Sequence, residues 1–131
     1  MEIKLTPQES EQYFYNSLCN GLSYMSGYGL DLECDDAAYK TAKQSLKDKS
    51  PDTTICYEDI YMEVLRQGGS LVMNDVENDG DYTRSITLNE IHERVQKTMT
   101  RHLMDAINET DDAETADVIL QTVFFEDIIF G

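Results

Sequence analysis

Residues 70–88, Ser70-Leu71-Val72-Met73-Asn74-Asp75-Val76-Glu77-Asn78-Asp79-Gly80-Asp81-Tyr82-Thr83-Arg84-Ser85-Ile86-Thr87-Leu88, decide the fold. Two alternating runs flank Asp79-Gly80, a dipeptide suited to a type I′ turn with positive φ at both central residues. Counting outward from that turn pairs Asn78 with Asp81, Glu77 with Tyr82, Asp75 with Arg84, Met73 with Ile86 and Leu71 with Leu88. Side chains alternate along a strand, so these residues share one face, apolar at the base and charged at the tip. Val72, Asn74 and Val76 oppose Thr83, Ser85 and Thr87 on the other face. A one-residue slip would set Met73 against a hydroxyl, so the pattern selects its face. The Asp75–Arg84 pair is expected to be exposed and worth roughly 0.2–1 kcal/mol.

A lone hairpin is marginal in water and needs further elements to cover it. Leu30-Asp31-Leu32-Glu33-Cys34 alternates and offers a third strand. Helix signals surround it. Thr6-Pro7-Gln8-Glu9 is a capping box with proline at the first helical position, opening a helix to about Met25 with Phe14, Leu18 and Leu22 inward. Gly27 and Gly29 stop it. Asp35 caps a helix from Asp36 to about Leu46, with Ala38, Tyr39, Ala42 and Leu46 inward and Lys40, Lys43 and Lys47 in solvent. Lys49 to Thr54 is a loop. A helix from Tyr57 to about Gln67 ends at Gly68-Gly69. Thr87-Leu88-Asn89-Glu90 is a second capping box, leading a helix to about Gln96. A further helix runs to about Asn108, with Leu103, Met104 and Ile107 inward. Thr110-Asp111-Asp112 opens the last, with Ala116, Ile119, Leu120, Val123 and Phe124 inward. Residues 127–131 continue as a strand or a last helical turn. The expected architecture is one α+β domain over residues 1–131, mostly helical, with a small antiparallel sheet centred on the hairpin.

The chain has 131 residues, 40% of them hydrophobic, and a formal net charge of −16. A chain of this length buries roughly two thirds of its unfolded surface. The charge argues against direct contact with nucleic acid or anionic membrane, which need basic surface. No apolar run approaches the ~20 residues of a membrane span, and the polar, acidic start does not read as a signal peptide. Cys19, Cys34 and Cys56 lack metal or disulfide spacing and read as reduced, buried thiols of a cytoplasmic protein.

Chemical motifs fall short. Asp75 to Asp81 resembles the front of a calcium loop, but position twelve, which needs a bidentate glutamate, holds Ile86. His92-Glu93 begins a zinc-protease pattern, and Gln96 stands where its second histidine belongs. No nucleophile elbow is present. No catalytic residue, metal ligand or cofactor is assigned.

The clearest functional feature follows Arg101. No lysine or arginine occurs beyond it, while eight carboxylates do. Asp105, Glu109, Asp111, Asp112, Glu114 and Asp117 are therefore expected to form a surface for a basic protein partner, with Glu77, Asp79 and Asp81 extending it. A phage-type inhibitor or nucleic-acid mimic is one form of this reading. Self-association through the apolar C-terminus is the first alternative, in which VILQTVFFEDIIF serves as an oligomer surface; it competes with simple core packing of that run, which is slightly favoured. A small enzyme or weak metal binder is the second.

The blocks NGLSYMSGYGLDLE, DYTRSITL and ADVILQTVFFEDIIFG resemble small acidic proteins of bacteriophages and bacterial mobile elements. The resemblance implies a bacterial-cell setting and favours an inhibitor of a host nucleic-acid-binding machine. It assigns no residue roles.

Overall fold

The computed structural model describes residues 3–110 and 112–131. Among them the chain forms six α-helices and one three-stranded sheet: α1 (Pro7–Gly27), β1 (Leu30–Glu33), α2 (Asp36–Lys49), α3 (Tyr57–Arg66), β2 (Leu71–Asp75), β3 (Arg84–Ile86), α4 (Leu88–Arg94), α5 (Thr100–Ile107) and α6 (Ala113–Phe125). A 3-10 turn, Val95–Lys97, follows α4. The α+β class and the antiparallel sheet are as the sequence implies.

Local signals place most helix starts. Glu9 N–H donates to the Thr6 hydroxyl at 3.1 Å and Thr6 N–H to the Glu9 carboxylate at 2.9 Å, closing the capping box. Asp35 accepts from Ala38 N–H, and Asp112 accepts from Thr115 N–H. The box at α4 is incomplete. The Thr87 hydroxyl bonds the Glu90 carboxylate rather than a backbone N–H.

Helix α6 is the axis of the core. Every residue from Thr115 to Phe124 is buried, the signature of a helix enclosed on all sides. Its main partner is α1, which approaches closely at Gly21. A Cβ there would lie 3.0 Å from both Ala116 Cβ and Leu120 Cδ1. Phe14 and Phe124 meet in the same interface with ring centres 6.2 Å apart. Arg94 closes the far end of α6, donating to the Val123 carbonyl at 2.8 Å and pairing with Glu126 at 3.1 Å. A cation at a helix C-terminus also complements its dipole.

The sheet order is β1-β2-β3, both pairs antiparallel. Leu30, Leu71, Met73, Asp75 and Ile86 are buried on its inner face. The register departs from expectation by two residues. Leu71 faces Ile86 and Met73 faces Arg84, so the faces survive and the partners change. The Asp79-Gly80 turn is real, with φ of 56° and 80° and Asp81 N–H donating to the Asn78 carbonyl at 3.1 Å. The ladder does not reach it, because side chains take the backbone groups below. Asp75 N–H donates to the Thr83 hydroxyl at 3.0 Å. The Asp75 carboxylate accepts from Glu77 N–H, Asn78 N–H and Tyr82 N–H at 3.1, 2.8 and 3.1 Å. The expected Asp75–Arg84 pair is thereby corrected. Asp75 is buried inside the loop, and Arg84 donates to the carbonyls of Asp81 and Thr83.

Three further expectations are corrected. Cys19 and Cys56 are exposed and Cys34 half-buried, all free thiols rather than core residues. Met104 is exposed, and α5 instead buries His102, Leu103 and Ala106. Residues 127–131 form neither strand nor helix. The chain reverses at Glu126 (φ 59°), and the tail folds back along α6.

Candidate functional site

Gln121 shows why the tail lies where it does. Fully buried, it accepts from Ile129 N–H and Phe130 N–H at 2.8 and 2.9 Å through Oε1. Its Nε2 donates to Asp117 at 2.9 Å and to the Phe130 carbonyl at 3.1 Å. Both ends of one amide are thus satisfied, as a buried polar group requires. The clamp brings Phe130 to a cluster of rings from three distant segments. Phe130 stacks on Tyr28, 4.9 Å between centres and 13° between planes, and meets Tyr82 edge-on at 5.3 Å. Phe125 joins at 6.1 Å from Phe130, and Tyr24 at 6.4 Å from Tyr28.

These contacts relocate the sequence-selected carboxylates. Asp117 is buried, accepting from the Tyr28 hydroxyl at 2.8 Å and from Gln121. It belongs to the packing, which corrects its assignment to an exposed surface. Burial, then the bond to Asp117, pushes the Tyr28 hydroxyl up to about 12. Asp105, Glu109, Asp112 and Glu114 stand together where α5 passes into α6. Glu109, Asp112 and Glu114 are exposed, Asp105 is half-buried, and Asp111 lies outside the described residues. Thr110 turns back onto the Asp105 carbonyl, its N–H donating at 2.8 Å. Glu114 lies 3.9 Å from Arg101. The bond from Thr115 N–H outweighs desolvation and holds the Asp112 carboxyl below the usual carboxylate range.

Glu77, Asp79 and Asp81 are exposed at the hairpin tip. Tyr82 ties the tip to Phe125 and Phe130, so it meets the tail rather than the α5–α6 corner. The 13 residues of α6 span about 20 Å between Asp112 and Phe125. Desolvation raises the Asp75 carboxyl, but the loop N–H donors together outweigh it and hold it below the usual range. The acidic run is therefore a side-chain-capped turn. Its first carboxylate faces inward, and Ile86, at the twelfth position, is core.

The remaining clusters and concavities are shallow. Among the described residues no group of three or more His, Cys, Asp or Glu is arranged to hold a metal ion. No described helix is long and apolar enough to cross a membrane. An open depression of about 370 Å³ is lined by Glu33, Cys34, Asp36, Tyr39 and Tyr61. Burial pushes the Cys34 thiol up, away from the thiolate a nucleophile needs. Another, of about 690 Å³, lies between α2 and its following loop, beside Lys43 and Lys47. The lysines of α2 are exposed, and Lys49 pairs with Glu63 at 3.8 Å. His92 and Arg66 both reach Glu11, at 2.9 and 3.3 Å, joining α1, α3 and α4.

No protein-family model matches the chain, and comparison with curated proteins and with solved structures gives no match.

The aromatic cluster escaped the sequence reading. Tyr28, Tyr82 and Phe130 share no periodicity, and only tertiary folding unites them. The available signal was the apolar run after Asp127, which a lone helix turn would have left uncovered.

Proposed function

We propose that the protein is a non-enzymatic interaction module that binds a basic protein partner through acidic surface. One observation carries this reading. Glu109 and Asp112 at the α5–α6 corner, and Glu77, Asp79 and Asp81 at the tip, are exposed and enter no ion pair among the described residues. Folding therefore leaves a concentrated negative field unspent. Such a field steers cationic partners and speeds their encounter.

The geometry favours a basic protein over imitation of a duplex. A DNA mimic needs closely spaced charges, about one per 1.7 Å of axis. Here Asp117, in the middle of the selected row, is buried, and the exposed carboxylates fall into two groups. The resemblance to phage and mobile-element proteins fits an inhibitor acting in bacterial cytoplasm.

The test is affinity capture from bacterial lysate with the full chain and a variant carrying Glu109→Lys, Asp81→Lys and Asp112→Asn, the last removing charge while keeping the cap of α6. The wild type should retain cationic proteins at low salt and release them as salt rises, and the variant should retain none of them. Capture that ignores salt, or persists after charge reversal, contradicts the proposal.

A further inference from the structure

We infer that the ring cluster joining the end of α1, the hairpin tip and the C-terminal tail is the docking surface for an arginine-bearing segment of the basic partner. This inference rests on the acidic-surface reading and names the place and the chemistry of recognition. Six large hydrophobic residues are exposed among the described residues, and three belong to the segments that this cluster joins: Tyr24 at 41%, Val76 at 57% and Ile128 at 38%. Val76 N–H donates to the Gly29 carbonyl at 2.9 Å, which ties Val76 to the residue after Tyr28. Ile128 precedes the Phe130 stack by two residues. Exposed apolar and aromatic surface next to charge has the composition of a binding hot spot.

The charge around it is one-sided. A Cβ on Gly29 would lie 2.5 Å from Glu77 Cγ and Cδ, so the Glu77 side chain lies across Gly29, the residue after Tyr28. Asp79, Asp81 and Asp127 are exposed nearby in the chain, and buried Asp117 accepts from the Tyr28 hydroxyl of the cluster at 2.8 Å. The two guanidiniums at this end are already engaged. Arg84 holds the carbonyls of Asp81 and Thr83, and Arg94 holds Val123 and Glu126. Glu77, Asp79, Asp81 and Asp127 enter no ion pair among the described residues.

Arginine fits both halves of this surface. Its planar, weakly hydrated guanidinium stacks on ring faces and forks onto carboxylates, whereas lysine presents a strongly hydrated point charge. A second copy of this chain is disfavoured as the occupant, because each copy carries −16 and would bring like charges together.

The experiment titrates isotope-labelled full chain with a short arginine homopeptide and a lysine homopeptide of equal length, following amide and ring resonances. Arginine should bind about five-fold more tightly than lysine, the size of one exposed cation–π contact. Shifts should concentrate on Tyr24, Tyr28, Val76, Tyr82, Ile128 and Phe130. Tyr24→Ser combined with Ile128→Ser should reduce arginine binding to the lysine level while wild-type thermal unfolding is kept. The wild-type shift map decides the matter even if that variant is unstable. Shifts confined to the α5–α6 corner would overturn this docking surface and leave the acidic-surface reading standing. Equal affinity for the two peptides would also overturn it. Failure of both peptides to bind would overturn it too, and salt-indifferent capture in the lysate experiment would remove the broader reading with it.

Discussion

Where α5 passes into α6, Glu109 and Glu114 stand in solvent around a short turn, and exposed Asp112 caps α6 through Thr115 N–H. Where the tail folds back along the same helix, Asp75 and Asp117 are buried and bonded, and exposed Glu77, Asp79 and Asp81 border a set of packed rings. Both regions are acidic, and their physics differs. A carboxylate enclosed by N–H and O–H donors is a structural part, costly to leave unmatched. A carboxylate in water contributes little to stability and remains available to a partner. Net charge alone does not distinguish the two kinds.

That difference is tested first at the shared helix. Phe124→Ala should cost about 3–5 kcal/mol, because the site is closed by Phe14 and the rest of α6 and collapses poorly. Thermal or urea unfolding measures it, and a loss under about 1 kcal/mol would show that α6 is not the axis of the core. Next comes the clamp. Gln121→Ala strands Ile129 N–H, Phe130 N–H and Asp117 Oδ1, while Asp117 Oδ2 keeps the Tyr28 hydroxyl, and should cost about 2–3 kcal/mol. Hydrogen exchange should then show lost protection at Ile129 and Phe130 while Thr6-capped α1 keeps its own.

A smaller, local effect is expected at Asp75. Its folded-state carboxyl lies below the unfolded value, so the unfolded chain binds the extra proton as pH falls. The stabilisation is complete above the ordinary carboxylate value, about 3.9, and disappears as pH drops through the folded value. Amide protection at Asn78 and Tyr82 should fall in that acid window. Asp75→Asn should flatten the dependence, and an unchanged acid profile in that variant would refute the capped-turn account. The smallest effect belongs to the corner. Glu109→Gln and Glu114→Gln should each move stability by less than about 0.5 kcal/mol, and a larger change would mean that those carboxylates are structural after all.

Much of the architecture was legible. Thr6-Pro7-Gln8-Glu9, Asp35 and Asp112 announce helix starts through side-chain oxygens that reach local N–H groups, whereas the Thr87 hydroxyl is diverted to the Glu90 carboxylate and leaves its box incomplete. The third strand was legible from the alternation of Leu30 to Cys34. The hairpin register was not. Asp79-Gly80 turns as its residues demand, yet Asp75 and Thr83 take the backbone donors on which a tight ladder depends. That competition is settled by side chains eight residues apart. Asp117 misled for a related reason. In a helix enclosed on every side, polar residues are buried along with apolar ones, and Gln121 and Tyr28 had to be present to satisfy it. The cysteines misled because burial is a tendency of the residue type, whereas Cys19 lies on the exposed side of α1 and Cys56 is exposed at the N-cap of α3.

The most direct test separates the exposed carboxylates from the buried ones in a single variant: Glu77→Gln, Asp79→Asn, Asp81→Asn, Glu109→Gln and Asp112→Asn together. Asparagine retains the cap at residue 112 and tolerates the positive φ at residue 79. The measurement is the salt dependence of arginine-homopeptide binding, set beside thermal unfolding. Unfolding should stay near wild type while the salt slope collapses. An unchanged slope in a folded variant would contradict the claim that these five carboxylates are the recognition surface.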